Sequence, residues 1–554
     1  MLAPRALAPD GSAVNGFVFD GALTVTYTGR DPVDAGIRVE LALPATGDPQ
    51  WLVPGVFYGE NRPENCTRWF PRFTPGRVDV KRMESDSWSF RADRCSTPGV
   101  FARGRGLVTT EMSPLGQAGV GFAECDGRRV IWLDFPYREE PLRYDGSETP
   151  QPPDVQTYAW QPGERVELRC DVADALPRPA ATFGDPSWVS VEEAAELAAW
   201  GLYRRHFEPD PPRLQETRTF DGAEARDNMH VSWVSGAPYA YALLRHGLRV
   251  DNREYVLAAT AVLDHIARGL TPGGTFWPQW THDRGWTWGW HPDHDRAHAR
   301  TIADATLFLH RAAEVTGEER WAAAVRSNLD VALRTQRDDG ALPAAHSIST
   351  GDAVSWEGTA GMAWIPALVE AGHAEQARAA GDYFSRFDTW YGAPEDVDLA
   401  PTHEDGIAAL MAAVALDDWE WGGRAADWML TFRYPYDVTF DEGTTLGRLS
   451  FRTRGADTAS PANQHLHAFA LICLPEMLRL ADATGDEYYR QSALENLACF
   501  RQFIARHDGD FGARRGMAAE RYLQTDCFGP KGTLDPLSHA WSIGVLLLAC
   551  EEML

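Results

Sequence analysis

Ala312-Ala-Glu-Val-Thr-Gly-Glu-Glu-Arg-Trp-Ala322 is the stretch that decides the fold. A helical period of apolar residues runs up to Thr316 and stops at Gly317; a second run of the same period opens with Glu318 and Glu319. This is how one helix ends at a glycine and the next begins with acidic residues in its first turn. The same kind of joint recurs at His246-Gly-Leu-Arg-Val-Asp251, Ala371-Gly-His373, Leu416-Asp-Asp418 and Thr484-Gly-Asp-Glu487. Outward from these five joints the period predicts twelve helices, at roughly 190–206, 234–247, 252–269, 297–316, 318–337, 357–371, 374–387, 404–416, 419–432, 462–484, 486–507 and 537–554. Joints inside pairs are tight, whereas those between pairs run about 15 to 30 residues and hold most of the tryptophan and histidine. Such alternation predicts a closed (α/α)6 toroid, with six inner helices starting at one mouth and long loops building the site there.

Upstream the period changes to two. Phe17-Val-Phe-Asp-Gly-Ala-Leu-Thr-Val-Thr-Tyr27, Gly36-Ile-Arg-Val-Glu-Leu-Ala-Leu43 and Arg129-Val-Ile-Trp-Leu-Asp-Phe135 alternate apolar and polar residues between Gly, Pro and Asp, which predicts an antiparallel β-sandwich. A proline-rich passage (Pro177, Pro179, Pro186) precedes Ser190, a helix cap with Glu193 three residues on. The expected class is therefore α+β and multidomain: a β-sandwich over 1–187, linker included, and a toroid over 188–554.

Composition narrows the partners. The 554 residues carry 52 Lys plus Arg against 79 Asp plus Glu, a net charge of −27, which repels nucleic acid and anionic membrane surfaces. Apolar runs such as Ile543–Cys550 are too short to span a bilayer, and Met1-Leu-Ala-Pro-Arg5 offers no apolar signal core, so the expected location is cytoplasmic. Eight scattered cysteines without a C-x-x-C pair predict reduced thiols. No Walker loop, dinucleotide fingerprint or G-x-S-x-G elbow is present, so no cofactor is expected. Homo-oligomers are left open.

Three loops could carry chemistry. Phe276-Trp-Pro-Gln-Trp-Thr-His-Asp-Arg-Gly-Trp-Thr-Trp-Gly-Trp-His-Pro-Asp-His-Asp-Arg296 interleaves five tryptophans with polar groups. Flat aromatics beside hydrogen-bonding groups suit the apolar faces and hydroxyl rims of sugars. Trp286, Trp288 and Trp290 are the expected contacts, with His294 and Asp295 alongside. Carboxylates at helix mouths form the second set: Glu357 beside Trp356, Glu404 and Asp405 beside His403, Asp227 before the first inner helix, and Asp526 and Asp535 in the last long loop. Each equally suits a helix cap. The third is Arg452-Thr-Arg-Gly-Ala-Asp-Thr-Ala-Ser-Pro-Ala-Asn-Gln-His-Leu-His467, from which Arg454, Asp457, Asn463 and His465 are expected to hold substrate hydroxyls. His465 and His467, two apart, share a face only if the chain is extended, and no ligand at i+3 or i+4 completes a helical metal set, so no metal is expected.

With Val354-Ser-Trp-Glu-Gly-Thr-Ala-Gly-Met-Ala-Trp364 and Thr402-His-Glu-Asp-Gly406, this β-then-hairpin organisation resembles the six-hairpin glycosidase superfamily, glucoamylase-like in architecture. The resemblance implies a glycoside hydrolase with Glu357 as general acid and Asp526 or Asp535 as base; Glu404 and Asp405 are rivals. Long loops suggest an exo-acting pocket, and room for water suggests inversion. Toroid polysaccharide lyases, through Asn463, His465, Arg454 and Tyr434 or Tyr436, and epimerases of the N-acylglucosamine 2-epimerase kind, which use histidine bases, are the alternatives, as is a non-catalytic carbohydrate-binding protein.

Overall fold

The computed structural model describes every residue except 1, 22, 65, 67, 126, 147, 179–183 and 396–399. It divides into two compact units, and the division is not one cut: residues 431–466 and 523–533 group with 1–180, and the remainder forms the second unit. Long loops between helices supply those two segments. Thr431, just past a helix end, accepts a hydrogen bond from Ser96 through its carbonyl and meets the Tyr58 hydroxyl at 2.9 Å.

In the first unit a sheet ordered Leu2–Leu7, Val33–Leu43, Arg128–Phe135, Gly119–Cys125, Ser87–Arg91 is antiparallel throughout. A second sheet runs Asp171–Ala173, Arg105–Val108, Gly99–Ala102, Trp51–Val53, Phe57–Tyr58. Aromatic rings join them: Trp51 stacks on Phe122 at 4.6 Å and Phe57 meets Phe122 at 5.0 Å. Under them Arg94, almost wholly buried, donates to Glu139 at 2.6 Å.

The second unit holds twelve helices of seven residues or more among the described residues: α1 (Val191–Gly201), α2 (Ala237–Arg249), α3 (Arg253–Arg268), α4 (Ala299–Thr316), α5 (Glu319–Thr335), α6 (Trp364–Glu370), α7 (Ala374–Phe384), α8 (His403–Ala415), α9 (Trp419–Leu430), α10 (Leu474–Thr484), α11 (Glu487–Phe500) and α12 (Ala540–Met553). Consecutive helices pair from α2–α3 to α10–α11, and α12 pairs with α1. The even-numbered helices touch in order and α12 returns to α2, so the inner ring closes. Sequence explains which helices go inside. α12 is apolar on nearly every side and buried through Glu551, and α8 is buried from His403 to Val414; α5 buries a stripe and gives the rest to solvent. The tight joints are capped as expected: Gly317 ends α4 at φ 75, and Asn252 accepts the Glu254 and Tyr255 N–H groups at the start of α3.

Short strands feed the inner helices. Asn228–His230 pairs with Gln279–Thr281, Arg296–His298 with Ala345–Ser347, and Leu537–His539 with Thr217–Thr219. Each of these places a histidine at an inner-helix entrance. No helix among the described residues is long and apolar enough to cross a membrane.

Candidate active site

Every one of the six inner helices has a buried histidine at its entrance: His230 before α2, His298 before α4, His346 upstream of α6, His403 opening α8, His467 upstream of α10 and His539 before α12. Three of them share one hydrogen bond. The Nδ1 atoms of His230, His467 and His539 accept the backbone N–H two residues on, from Ser232 (3.3 Å), Phe469 (3.2 Å) and Trp541 (3.3 Å). A neutral ring that accepts at Nδ1 carries its hydrogen on Nε2, so this local bond fixes the tautomer. Burial, with His403, Arg521 and Arg300 nearby, holds the His467 imidazole well below its ordinary pKa and therefore neutral.

His467 and His403 meet edge to face, with ring centroids 4.5 Å apart. Beside His403, Glu404 forms an ion pair with Arg300, whose Nε also lies 3.3 Å from Asp304. The guanidinium lies over Trp233 and Phe469, 5.1 and 4.9 Å from their ring centres. Burial lifts the Asp304 carboxyl to about 6 against the pull of Arg300. A cavity of about 10 Å³, room for one water, is lined by Arg300, Asp304 and apolar residues of α6 and α8. Phe469 and Trp541 wall His467 at 6.4 and 5.1 Å.

His403, Glu404 and His467 bring one donor atom each to within 4.8 Å of one another, a set with the composition of a His2Glu metal site. Two bonds oppose a cation there. Nδ1 of His467 is taken by the Phe469 N–H, which leaves a hydrogen on Nε2, and Glu404 is paired with Arg300. A metal ligand needs an unprotonated nitrogen, so the arrangement suits proton transfer better than coordination.

The expected site residues scatter. Glu357 is exposed, not in the partly apolar setting that would keep a general acid protonated, because it follows an exposed Trp356 in a loop. Asp405 serves the capping box of α8: it accepts from Thr402 N and Oγ1 and from Ala393 N, while burial raises its pKa to about 7. Asp295 accepts from Ser347 Oγ, Ser349 Oγ and Ser349 N, and Asp227 pairs with Arg213 at 2.8 Å. Asp535 lies 3.7 Å from Arg521. Of the tryptophans, Trp286 stacks on His265 at 4.7 Å and Trp288 on His294 at 3.9 Å, whereas Trp290 keeps 39% of its surface exposed and stacks on His230 at 5.0 Å.

In the first unit, Asp526 accepts from Arg91 at 2.8 Å and lies 3.1 Å from Arg94; burial raises its carboxyl, but the two guanidinium groups outweigh that and lower it. Asn463 accepts from Arg68 at 3.1 Å, and His465 meets the edge of Phe528 at 5.8 Å. The Arg454 backbone N–H donates to Asp437. Tyr434 and Tyr436 donate to the Arg94 and Cys95 carbonyls at 3.3 and 3.0 Å, so both hydroxyls of the expected lyase set are engaged by backbone. Residues 463–467 form a strand, so His465 and His467 do share a face.

Sequence reading passed over His230, Trp233, Arg300, Asp304, Phe469, Trp541 and His539. For Arg300, Phe469, His539 and Trp541 the signal is a short recurrence, His298-Ala-Arg300, His467-Ala-Phe469 and His539-Ala-Trp541, in which the residue two beyond the histidine lies near or beside the His403–His467 pair.

No family model matches the chain, and no curated protein sequence does. Solved structures are similar at low identity. A D-mannose isomerase is 14% identical, covering 67% of this chain and 99% of its own, with a TM-score of 0.47. A cellobiose 2-epimerase from Bacillus thermoamylovorans is 9% identical over 66% of this chain and 98% of its own, with a TM-score of 0.46. A polysaccharide lyase is 11% identical over 99% of this chain and 89% of its own, with a TM-score of 0.48.

Proposed function

We propose that this chain is a carbohydrate-active enzyme that moves a proton on a sugar carbon, an epimerase or isomerase acting on an aldose or ketose unit. The observation that carries this reading is the buried His403–His467 pair, with His467 neutral and its hydrogen fixed on Nε2. A neutral N–H donor stabilises the oxygen of an enediolate without giving up its own proton, and a second imidazole is the base. In the open-chain sugar, His403 takes the proton from C2. The C–H electron pair becomes the C1–C2 double bond, and the carbonyl pair moves onto O1, where the His467 Nε2–H supports it. Once the enediolate has turned its other face to His403, return of the proton to C2 gives the epimer; return of the proton to C1, with the O2 hydroxyl proton passing to O1, gives the ketose.

Glycoside hydrolysis is the second reading, and Asp304 favours it. Its carboxyl, lifted to about 6, and Glu404 flank the same Arg300, which gives two carboxyl groups in unlike environments. Proton NMR in D2O separates the two. Neutral aldoses and disaccharides are expected to gain deuterium at C2 of the reducing sugar, and His403→Gln is expected to slow that exchange by about two to four orders of magnitude. Release of a free sugar from a glycoside with no C2 exchange would overturn the epimerase reading and move the chemistry to Asp304 and Glu404.

A further inference from the structure

Two arginines on the loop after α11 are held by tryptophans and have no acid. Arg506 lies over Trp188, 4.0 Å from the ring centre, and Arg515 over Trp200 at 4.7 Å. Among the described residues neither has a carboxylate within 4.0 Å. Solvent-facing arginines elsewhere in this unit do find one, as Arg326 does in Glu319 at 2.6 Å and Arg479 in Asp417 at 3.2 Å. The loop that carries the unpaired two is constrained. Trp188 donates through Nε1–H to the Ile504 carbonyl at 3.0 Å, and Phe503 and Phe511 each meet its ring at 6.1 Å. Both phenylalanines have left-handed backbone, φ 56 and 39, a conformation that is costly for a bulky residue. Asp510 accepts the Arg506 and His507 N–H groups, and Asp508 that of Arg515, all at 2.9 Å. The backbone and the tryptophans together fix where the two guanidinium groups stand.

These groups share a hollow of about 350 Å³ with Glu193, Glu196 and Leu197 of α1 and with His507. Neither glutamate has a cation within 4.0 Å among the described residues. Two fixed positive groups and two exposed negative ones therefore line one open space without pairing across it. A lone anion there is drawn by the arginines and repelled by the glutamates, and a lone cation meets the reverse. A ligand that carries both charges gains from both walls and breaks no existing pair. An adjoining hollow of about 180 Å³, which shares Glu196 and Arg515, has Trp200 and Tyr255 in its wall and can receive the ligand's carbon skeleton. We propose that this hollow binds a small dissolved zwitterion, with an ammonium group at Glu193 and Glu196 and a carboxylate or phosphate at Arg506 and Arg515. The site lies wholly in the second unit, shares no residue with the histidine entrances, and does not depend on the sugar chemistry proposed above.

Ligand-detected NMR titrations of the full chain test this. 4-Aminobutyrate and 2-aminoethyl phosphate carry both charges, butyrate and ethyl phosphate only the negative one, and butylamine only the positive one. The zwitterions are expected to bind at least about threefold more tightly than the singly charged probes, and the tighter of the two shows which oxyanion the arginines take. Glu193→Gln combined with Glu196→Gln is expected to weaken the zwitterions roughly three- to tenfold and to bring ethyl phosphate level with 2-aminoethyl phosphate, because the repulsion is gone. Arg506→Gln is expected to weaken the zwitterions to a similar degree, with thermal melts showing that each variant keeps its fold. Equal binding of butyrate and 4-aminobutyrate would overturn the proposal, as would zwitterion binding that the glutamate substitutions leave unchanged, or no saturable binding by any probe. Cosedimentation of the chain with phosphatidylethanolamine vesicles would overturn it in favour of a membrane surface. Deuterium exchange at C2 of a sugar is expected to proceed in every variant, so failure at this hollow leaves the proposed function standing.

Discussion

Acidification should destabilise the helical unit, and the slope can be worked from its buried groups. Burial holds His206, His230 and His298 at about 3 and His346 at about 4, against an ordinary value of 6.5. These rings are neutral when folded and take up protons when unfolded, so their stability is full above about pH 6.5 and is lost as pH falls below it. Two carboxyls act in the other direction: Asp304 is raised to about 6 and Asp405 to about 7, so the folded state already holds their protons in mild acid. Among these six groups, four histidines against two carboxyls leave about two protons in favour of the unfolded chain between pH 6 and 4.5; His467, also held well below its ordinary value, adds to this, and the raised Glu476 and Asp535 carboxyls offset it. At ~1.36 kcal/mol per proton and pH unit, that is about 2.7 kcal/mol per unit, or ~4 kcal/mol from pH 6 to 4.5. A loss of that size is a large part of the stability of an ordinary domain. Urea unfolding followed by tryptophan fluorescence at pH 7.5, 6.0 and 4.5 reads it directly. His346→Gln removes one titrating ring and should lower the slope by ~1.36 kcal/mol per pH unit. A midpoint that stays level, or rises, from pH 6 to 4.5 would refute the neutral-histidine account.

Two substitutions probe the surroundings of the pair. Arg300→Met leaves Glu404 and Asp304 buried without their shared cation and should cost about 3–5 kcal/mol near neutral pH, a loss that shrinks below about pH 6 as Asp304 protonates; denaturation curves at pH 7.5 and 5.5 check both parts, and an equal cost at the two values would contradict the ion-pair reading. Gly289→Ala would place a methyl group 2.7 Å from the Glu395 carboxylate oxygens and should cost about 1–3 kcal/mol; thermal melts read the loss, and an unchanged melting temperature would show that the carboxylate yields freely.

The helical unit was legible because its joints are local. Gly317 and Gly485 end their helices in left-handed turns, Asn252 and Asp486 cap the next ones, and all of these can be seen within four residues of sequence. The division into units was not. Thr431–Leu466 and Leu523–Thr533 lie between helices in the sequence but group with the first 180 residues through pairings such as Tyr58 with Thr431 and Lys531 with Asp93, each more than 370 residues apart along the chain. Periodicity carries no information about partners at that separation.

The site was hidden for a different reason. A carboxylate at a helix mouth has two employments, cap and catalyst, and composition does not say which. Asp405 shows the first, since the hydrogen bonds it accepts from Thr402 and Ala393 serve the turn it begins and the neighbouring loop. Here histidines share in that local work as well: at residues 230, 467 and 539 Nδ1 takes a backbone N–H from the turn that follows. The cost of the arrangement is burial of the ring, and its consequence is a fixed tautomer, with Nε2–H as the only hydrogen a neutral ring can offer. A bond made for the backbone thus sets the chemistry of the side chain. That is why His467 is informative and Glu357 is not: the first is oriented and buried beside a second imidazole, whereas the second is a carboxylate in a solvent-facing loop.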